Sequence, residues 1–496
     1  MGIVFRQSIK TTIVIFAGAV LGALVVGGYA YVLSKPLQGF TRTVLSVAGF
    51  LQLFALLGTG STILTYVHRY PPGQKRKVLL TLAALVPLVT TGILLIPYLL
   101  FRNNLVHLYQ PAEQGYINTY YLWIPVLVIL WSYMSQLELY LSSQHRTAIA
   151  TFMREVVLKF LNLILIALIG FGYISFSSFI IGTVLVYAVP TLIMLPIAMR
   201  TESFGFSMQW RVFGKQDYKE LLHFSWYHLL LSVSASAMGV VDMYMLPILS
   251  KHGLSSLAVY AIAVFIASVM TAPYRAMASA AFPTLNLAYT NGDTDKVHQL
   301  FRRSSVNTLT VSVAMAVIIA CNLPNAVAML RKGQGYETII PLVLIMMIGR
   351  LVDMASGLNT ELISISKYYK FNFRISVLLV VLMVGLNLFL IPRFDVYGAA
   401  WSTTISLILF NVGKMIFLWK KMGVQPFTGK SLYVLAAGAI AGFVGYIVPA
   451  LHNPFVDAVL RTGLVVVIYA VLLLWWQPSE DLRTYVQSIR KDKRLF

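Results

Sequence analysis

The sequence predicts an all-α integral membrane protein of about 14 transmembrane helices. Three observations lead there. Only 11% of the 496 residues are charged and 58% are hydrophobic, against roughly 25% charged in an ordinary water-soluble chain. The mean hydropathy is +0.78, and the chain has no long polar stretch from which a water-soluble domain could be built. The apolar residues also fall in continuous runs of about 18 or more. Runs of that length exclude barrel strands, which alternate over about ten residues. Backbone groups in hydrocarbon need partners within their own segment, so the runs are helices.

In chain order the runs cover 11–33, 41–67, 78–101, 117–141, 147–170, 174–199, 221–248, 255–282, 304–325, 337–361, 374–391, 397–419, 431–450 and 456–476. The first is too long for the core of a secretory signal, about 7–15 residues, and reads as an uncleaved span. Orientation follows from the connections. Those rich in Lys and Arg, such as His68–Lys77, Arg200–Lys219, Asp293–Arg303 and the tail Arg483–Arg494, fall at every second loop. Basic loops stay on the cytoplasmic side, so both termini are expected there, in the inner (plasma) membrane. The net charge of +21 is thereby a topology signal and an attraction for anionic lipid headgroups; no nucleic-acid role is expected. Ser203–Phe213, aromatic and basic, reads either as an interfacial segment or as a plain linker.

Internal repetition divides the chain. Leu161–Ile166 reads LNLILI and Leu386–Ile391 reads LNLFLI; Val25–Lys35 reads VVGGYAYVLSK and Val240–Lys251 reads VVDMYMLPILSK. Both pairs are separated by the length of six spans, so the two halves are expected to be parallel repeats. The expected organisation is an N-lobe at 1–219, a C-lobe at 220–425, a helical hairpin at 426–478 and a cytoplasmic tail at 479–496.

Ionisable residues inside a span cost roughly 2.5–3.5 kcal/mol to insert and normally face a cavity or a partner. Arg42 opens the second run and reads as an interfacial anchor or as a cavity group. Arg275 lies well inside the eighth run, near Pro273, where an idle charge is costly. Arg350 and Asp353, three apart in the tenth run, have the spacing of a pair along one helix. Asp242 sits in the outer third of the seventh run without a basic neighbour in sequence. Glu155 and Lys159 have the favourable order for a structural salt bridge, with Glu138 and Arg154 close in the topology. Stripes of small residues, Gly18 with Gly22 and Ser225 with Ser232 and Ser236, suit close helix packing or cavity lining. No phosphate-cradling loop, HExxH or CxxC is present, and Cys321 is a lone cysteine, so no enzyme, metal site or cofactor is expected. Asp293-Thr-Asp295, beside Asn291-Gly292, reads as a helix-linking turn.

The stretch Leu386–Thr404, LNLFLIPRFDVYGAAWSTT, resembles the eleventh and twelfth spans of polysaccharide flippases of the O-antigen and capsule type, in the multidrug/oligosaccharidyl-lipid/polysaccharide exporter superfamily. Gly39–Phe40, Val241–Asp242 and Ala258–Tyr260 are similar to that family as well. The resemblance implies two six-helix lobes around a central cavity lined by spans one, two, seven and eight, with a C-terminal helical hairpin. It implies alternating access, and as cargo an undecaprenyl-diphosphate-linked oligosaccharide for surface polysaccharide. Arg42, Arg275 and Arg350 would then bind the diphosphate, since Arg offers bidentate donors that do not deprotonate. In the lipid II flippase branch a sodium site lies among spans seven, eleven and twelve. The matching residues here are Asp242, Asn387 and Thr403 or Thr404, with Asp353 as a further coupling residue; Na+ and H+ coupling, and so antiport, both stay open. Membrane lipids, a glycan polymerase and glycosyltransferases are the expected partners. The rival readings are a multidrug exporter of the same fold and a membrane enzyme of glycan assembly.

Overall fold

A computed structural model describes residues 3–144, 146–201, 204–330, 335–479 and 483. Within them the secondary structure is helical, without strands. The chain divides into two units, residues 1–248 with 252–258, and residues 249–251 with 259–496.

The first unit opens with α1 (Ile3–Val32), α2 (Lys35–Leu56) and α3 (Thr59–Arg69). The expected second run is therefore not one straight helix. Leu57 and Gly58 both adopt left-handed backbone, with φ of 48° and 77°, and the hydrogen-bond ladder stops between α2 and α3. A side chain on Gly58 would meet the carbonyl of Ser225, its Cβ only 2.0 Å away, so glycine is demanded twice over. Next come α4 (Gln74–Leu100), the short α5 (Arg102–His107) and α6 (Pro111–Tyr120), and α7 (Trp123–Ser143). The fifth run begins with α8 (Thr147–Phe152), passes through a π-helical turn at Met153–Val157 and continues as α9 (Leu158–Gly170). Helices α10 (Phe176–Leu185), α11 (Ala188–Met199) and α12 (Lys215–Leu249) complete the unit. Its core includes Tyr29 of α1, Phe40 of α2, Leu127 and Tyr140 of α7 and Phe179 of α10. Small residues set the closest crossings. A Cβ on Gly18 would lie 2.6 Å from that of Glu155, and one on Gly39 would lie 1.8 Å from the Leu254 carbonyl oxygen.

The second unit takes up the chain with α13 (Gly253–Val269), whose first residues belong to the first unit, then α14 (Ala272–Thr290) and α15 (Thr294–Ala328). It continues with α16 (Ile339–Ala355), α17 (Asn359–Ile365), α18 (Tyr369–Phe394) and α19 (Val396–Met422), and ends in the hairpin α20 (Gly429–Ile447) and α21 (Pro454–Trp476). Val306, Leu309 and Val313 of α15 pack with Val434, Ala437 and Ala441 of α20 and Val465 and Tyr469 of α21. Asp293 starts α15 by accepting the Lys296 amide at 3.0 Å, the helix-linking turn expected of that loop.

Ten helical segments among the described residues are long and apolar enough to cross a membrane, and Ala17–Val32 and Gly253–Val269 are shorter apolar helices. Large apolar side chains lie bare on their outer faces, among them Leu100, Leu192, Phe443 and Trp475. Exposure on that scale is what a hydrocarbon solvent permits.

Candidate functional site

In the first unit the site is built around Arg42. Helix α2 places its guanidinium 5.3 Å from the ring of Tyr29 on α1. Tyr29 is buried and is held from behind, its hydroxyl donating to Asn162 Oδ1 at 3.3 Å and its ring packing edge-on against Phe179. The Nε and Nη2 atoms of Arg42 are buried and have no acceptor among the described residues. The ring face stabilises the charge but accepts no conventional hydrogen bond, and a buried donor without an acceptor costs about 1–3 kcal/mol, more when charged. An anionic oxygen fits this shortfall.

One turn along α2, Ser46 meets α12. The Tyr244 hydroxyl donates to the Ser46 carbonyl at 2.7 Å, and Ser46 Oγ lies 3.6 Å from Met243 Sδ. Asp242, the residue before Met243, is 5% exposed. Thr62 and Ser225, from α3 and α12, share a hydrogen bond of 2.6 Å. The serine of that stripe thus serves helix packing. The cluster at the π turn is an ion-pair network as expected: Arg154 bonds Glu138, and Glu155 takes Arg154 at 3.1 Å and Lys159 at 2.6 Å.

Outside the spans, Glu113 on α6 accepts the Leu254 amide at 2.8 Å. Its carboxylate fills the place a Cβ on Gly253 would take. Burial pushes this carboxyl above its ordinary range.

In the second unit, Arg275 lies on α14, with its side chain outside the described atoms. Arg350 and Asp353 both lie on α16, yet they form no ion pair within 4.0 Å among the described residues. Asp353 Oδ1 instead accepts Asn411 Nδ2 of α19 at 3.0 Å. From there the bonds run on without a gap. Asn359 Nδ2 donates to Asn411 Oδ1 at 3.0 Å, Thr360 Oγ1 to Asn359 Oδ1 at 3.0 Å, and Lys414 Nζ to Thr360 Oγ1 at 2.8 Å. Lys414 is 2% exposed and stands 3.8 Å from the Phe410 ring centroid. Nearby in sequence, Glu361 accepts the Tyr274 hydroxyl at 2.8 Å. Sequence reasoning passed over Lys414. The signal was there, one lysine three residues after Asn411 on the same face of an otherwise apolar run.

Of the expected coupling residues, Asp242 belongs to the first unit and Asn387, Thr403, Thr404 and Asp353 to the second. Asn387 and Thr404 are fully buried. Thr403 Oγ1 lies 3.1 Å from the Tyr260 hydroxyl, and Thr404 Oγ1 donates to the Ile345 carbonyl at 3.0 Å.

Comparison with known proteins supplies the context. The structure is similar to that of the lipid II flippase MurJ in an inward closed conformation, with a TM-score of 0.76 over 94% of this chain and 98% of the other, at 13% identity. It is also similar to an inward-facing multidrug resistance MATE family transporter of the MOP superfamily, TM-score 0.65, 14% identity, covering 82% of this chain and 94% of that one. The bent form of the Vibrio cholerae MATE transporter VcmN gives a TM-score of 0.53 at 15% identity, over 85% and 96% of the two chains. At such identities the likeness is one of fold. No curated protein matches the sequence. Residues 4–287 match the family described as polysaccharide biosynthesis protein. That match takes in more than half the chain, α1 to most of α14 with Arg42 and Asp242 among its residues, and the protein belongs to that family.

Proposed function

We propose that the protein is an alternating-access flippase that moves an undecaprenyl-diphosphate-linked oligosaccharide across the inner membrane for surface polysaccharide biosynthesis. In this reading it has about 14 crossings and cytoplasmic termini. The observation that carries it is Arg42, a buried guanidinium on a membrane helix with two donor atoms lacking acceptors, in a chain of the polysaccharide biosynthesis family. A diphosphate supplies those acceptors bidentately. Arg275 and Arg350 are the further arginines proposed to bind the diphosphate. A glycan polymerase and glycosyltransferases act on either side of this step. The multidrug exporter reading draws on the MATE likeness, but the positive charge of Arg42 disfavours a cationic drug.

Reconstitution tests it directly. In proteoliposomes, an undecaprenyl-diphosphate-linked oligosaccharide is expected to cross faster than in protein-free liposomes, and a sodium or proton gradient is expected to drive the flux. Asp242→Asn is expected to remove the gradient dependence. Transport of a cationic dye with no flux of the lipid-linked sugar would establish the multidrug reading instead. Gradient dependence that survives in a folded Asp242→Asn variant would remove Asp242 from coupling.

Orientation is separately testable because Cys321 is the sole cysteine. In a Cys321→Ser background, Gln74→Cys and Asn453→Cys are expected to react with an impermeant maleimide from opposite faces. Reaction from one face would overturn the topology.

A further inference from the structure

We propose that the basic end of α15, α20 and α21 is a binding site for the phosphate of an anionic phospholipid, separate from the site at Arg42. A cavity of about 380 Å³ opens there, lined by His298, Arg302 and Arg303 of α15, by Thr428 and Lys430 at the start of α20, and by Ser479 just past α21. It lies wholly within the second unit, whereas Arg42 belongs to the first.

Four features converge on an anionic ligand at headgroup level. The first is charge. Among the described residues, the cavity lining holds the cations of Arg302, Arg303 and Lys430 and the carboxylate of the exposed Asp295. The second is the start of α20, a helix of 19 residues, whose N-terminal partial positive charge lies beside Lys430. The third is that the walls are fixed. Ser479 donates to Asn307 on α15, and His298 Nε2 lies 3.2 Å from the Met422 carbonyl oxygen. Pro478 and Ser479 are buried.

The fourth feature tells a lipid from a soluble ion. Tyr433 packs against Trp476 with centroids 5.7 Å apart, and Trp475 stacks on Trp476 at 6.3 Å. Tyr433 lies three residues after Lys430, and Trp476 two before Pro478. Tyr and Trp gather where hydrocarbon meets headgroups. Directly beside them Leu432 and Trp475 are 70% and 75% exposed, an apolar surface on which acyl chains can lie. A phosphate in the cavity with its chains against α20 and α21 satisfies both parts. Basic pockets between transmembrane helices are suited to such headgroups.

The test is native mass spectrometry of the full-length protein, delipidated in detergent and titrated with phosphatidylglycerol, phosphatidylcholine or inorganic phosphate. Phosphatidylglycerol is expected to bind in preference to phosphatidylcholine. Arg302→Gln/Arg303→Gln/Lys430→Gln is expected to lose one tightly bound phosphatidylglycerol, with affinity down on the order of 100-fold for three surface cations. Arg200→Gln/Arg211→Gln/Lys215→Gln, which removes the same charge elsewhere, is expected to keep it. Equal loss in the two triple variants would mean a diffuse charge effect and overturn the site. Inorganic phosphate binding as tightly as phosphatidylglycerol would assign the cavity to a soluble anion and overturn the lipid. Photocrosslinking the wild-type protein with a headgroup-reactive phosphatidylglycerol needs no substitution. Adducts are expected in peptides spanning 294–307 and 428–433, and their absence there would refute the proposal even if the first triple variant fails to fold.

Discussion

Arg42→Ala is expected to lower flipping of a lipid-linked oligosaccharide by at least about tenfold, and up to about a hundredfold, at unchanged protein abundance. The range follows from losing a charge-assisted hydrogen bond worth about 1.5–3 kcal/mol. Truncation gives up the contact with the Tyr29 ring of α1, but it also relieves the cost of burying Nε and Nη2, which have no acceptor among the described residues. Stability should therefore hold or rise while transport falls, the opposite of a structural residue. Arg42→Lys keeps the charge without the planar fork and is expected to recover only part of the rate. Arg275→Ala and Arg350→Ala should fall in the same direction if all three grip one diphosphate. Full flipping by a folded Arg42→Ala variant would take Arg42 out of the mechanism.

Asp457→Ala is expected to be strongly destabilising, lowering the melting temperature clearly below that of the wild type. Asp457 and Arg461, both buried, are joined by two bonds, Nε to Oδ2 at 3.0 Å and Nη2 to Oδ1 at 3.1 Å. The same carboxylate accepts Asn325 Nδ2 of α15 at 2.5 Å and the Leu451 amide at 3.0 Å. Arg461 Nη1 reaches back to the Gly445 carbonyl on α20. One ion pair thus ties α15, α20, the intervening turn and α21. Removing the acid leaves a buried cation without its partner. Replacing both, as Asp457→Leu with Arg461→Met, removes the desolvation cost together with the attraction and is expected to lie much closer to wild type. Thermal unfolding followed by tryptophan fluorescence would measure this. A melting temperature unmoved in the alanine variant, or a double variant worse than the single one, would contradict the account.

The apolar runs and the basic loops were legible because hydropathy reports directly which segments lipid accepts. The breaks within them were not. The run at 41–67 is apolar throughout, but hydropathy is blind to the backbone at Leu57 and Gly58, where a contact with the Ser225 carbonyl excludes a side chain. The run at 255–282 also divides, between α13 and α14, where Pro273 stands in the first turn of α14, and that at 337–361 divides between α16 and α17 at the left-handed Gly357. Arg42 and Asp242 could be singled out as candidates because a charge inside a run stands out. The partner of Asp353 was not, because spacing favoured Arg350, three residues away, and the amide that reaches it comes from Asn411, 58 residues on. Lys414 shows the same limit. Phe410 stands one turn before it on the same helix, but Thr360 reaches it from α17, a juxtaposition only the fold supplies.

The π turn at Met153–Val157 bears on how this span tolerates changes of length. A regular helix turns by about 100° per residue, so deleting one residue from it swings everything beyond the cut to another face. A π turn holds one residue more than the α ladder needs. The fifth span therefore carries its own spare. Loss of a single codon within 153–157 would close the turn into ordinary α-helix and leave Asn162 and Ile166 facing α1 as they do now. The same loss anywhere in Leu158–Gly170 would rotate the rest of the segment out of register. The stretch that looks least regular is the one place in this span where the gene can shorten without turning the helix.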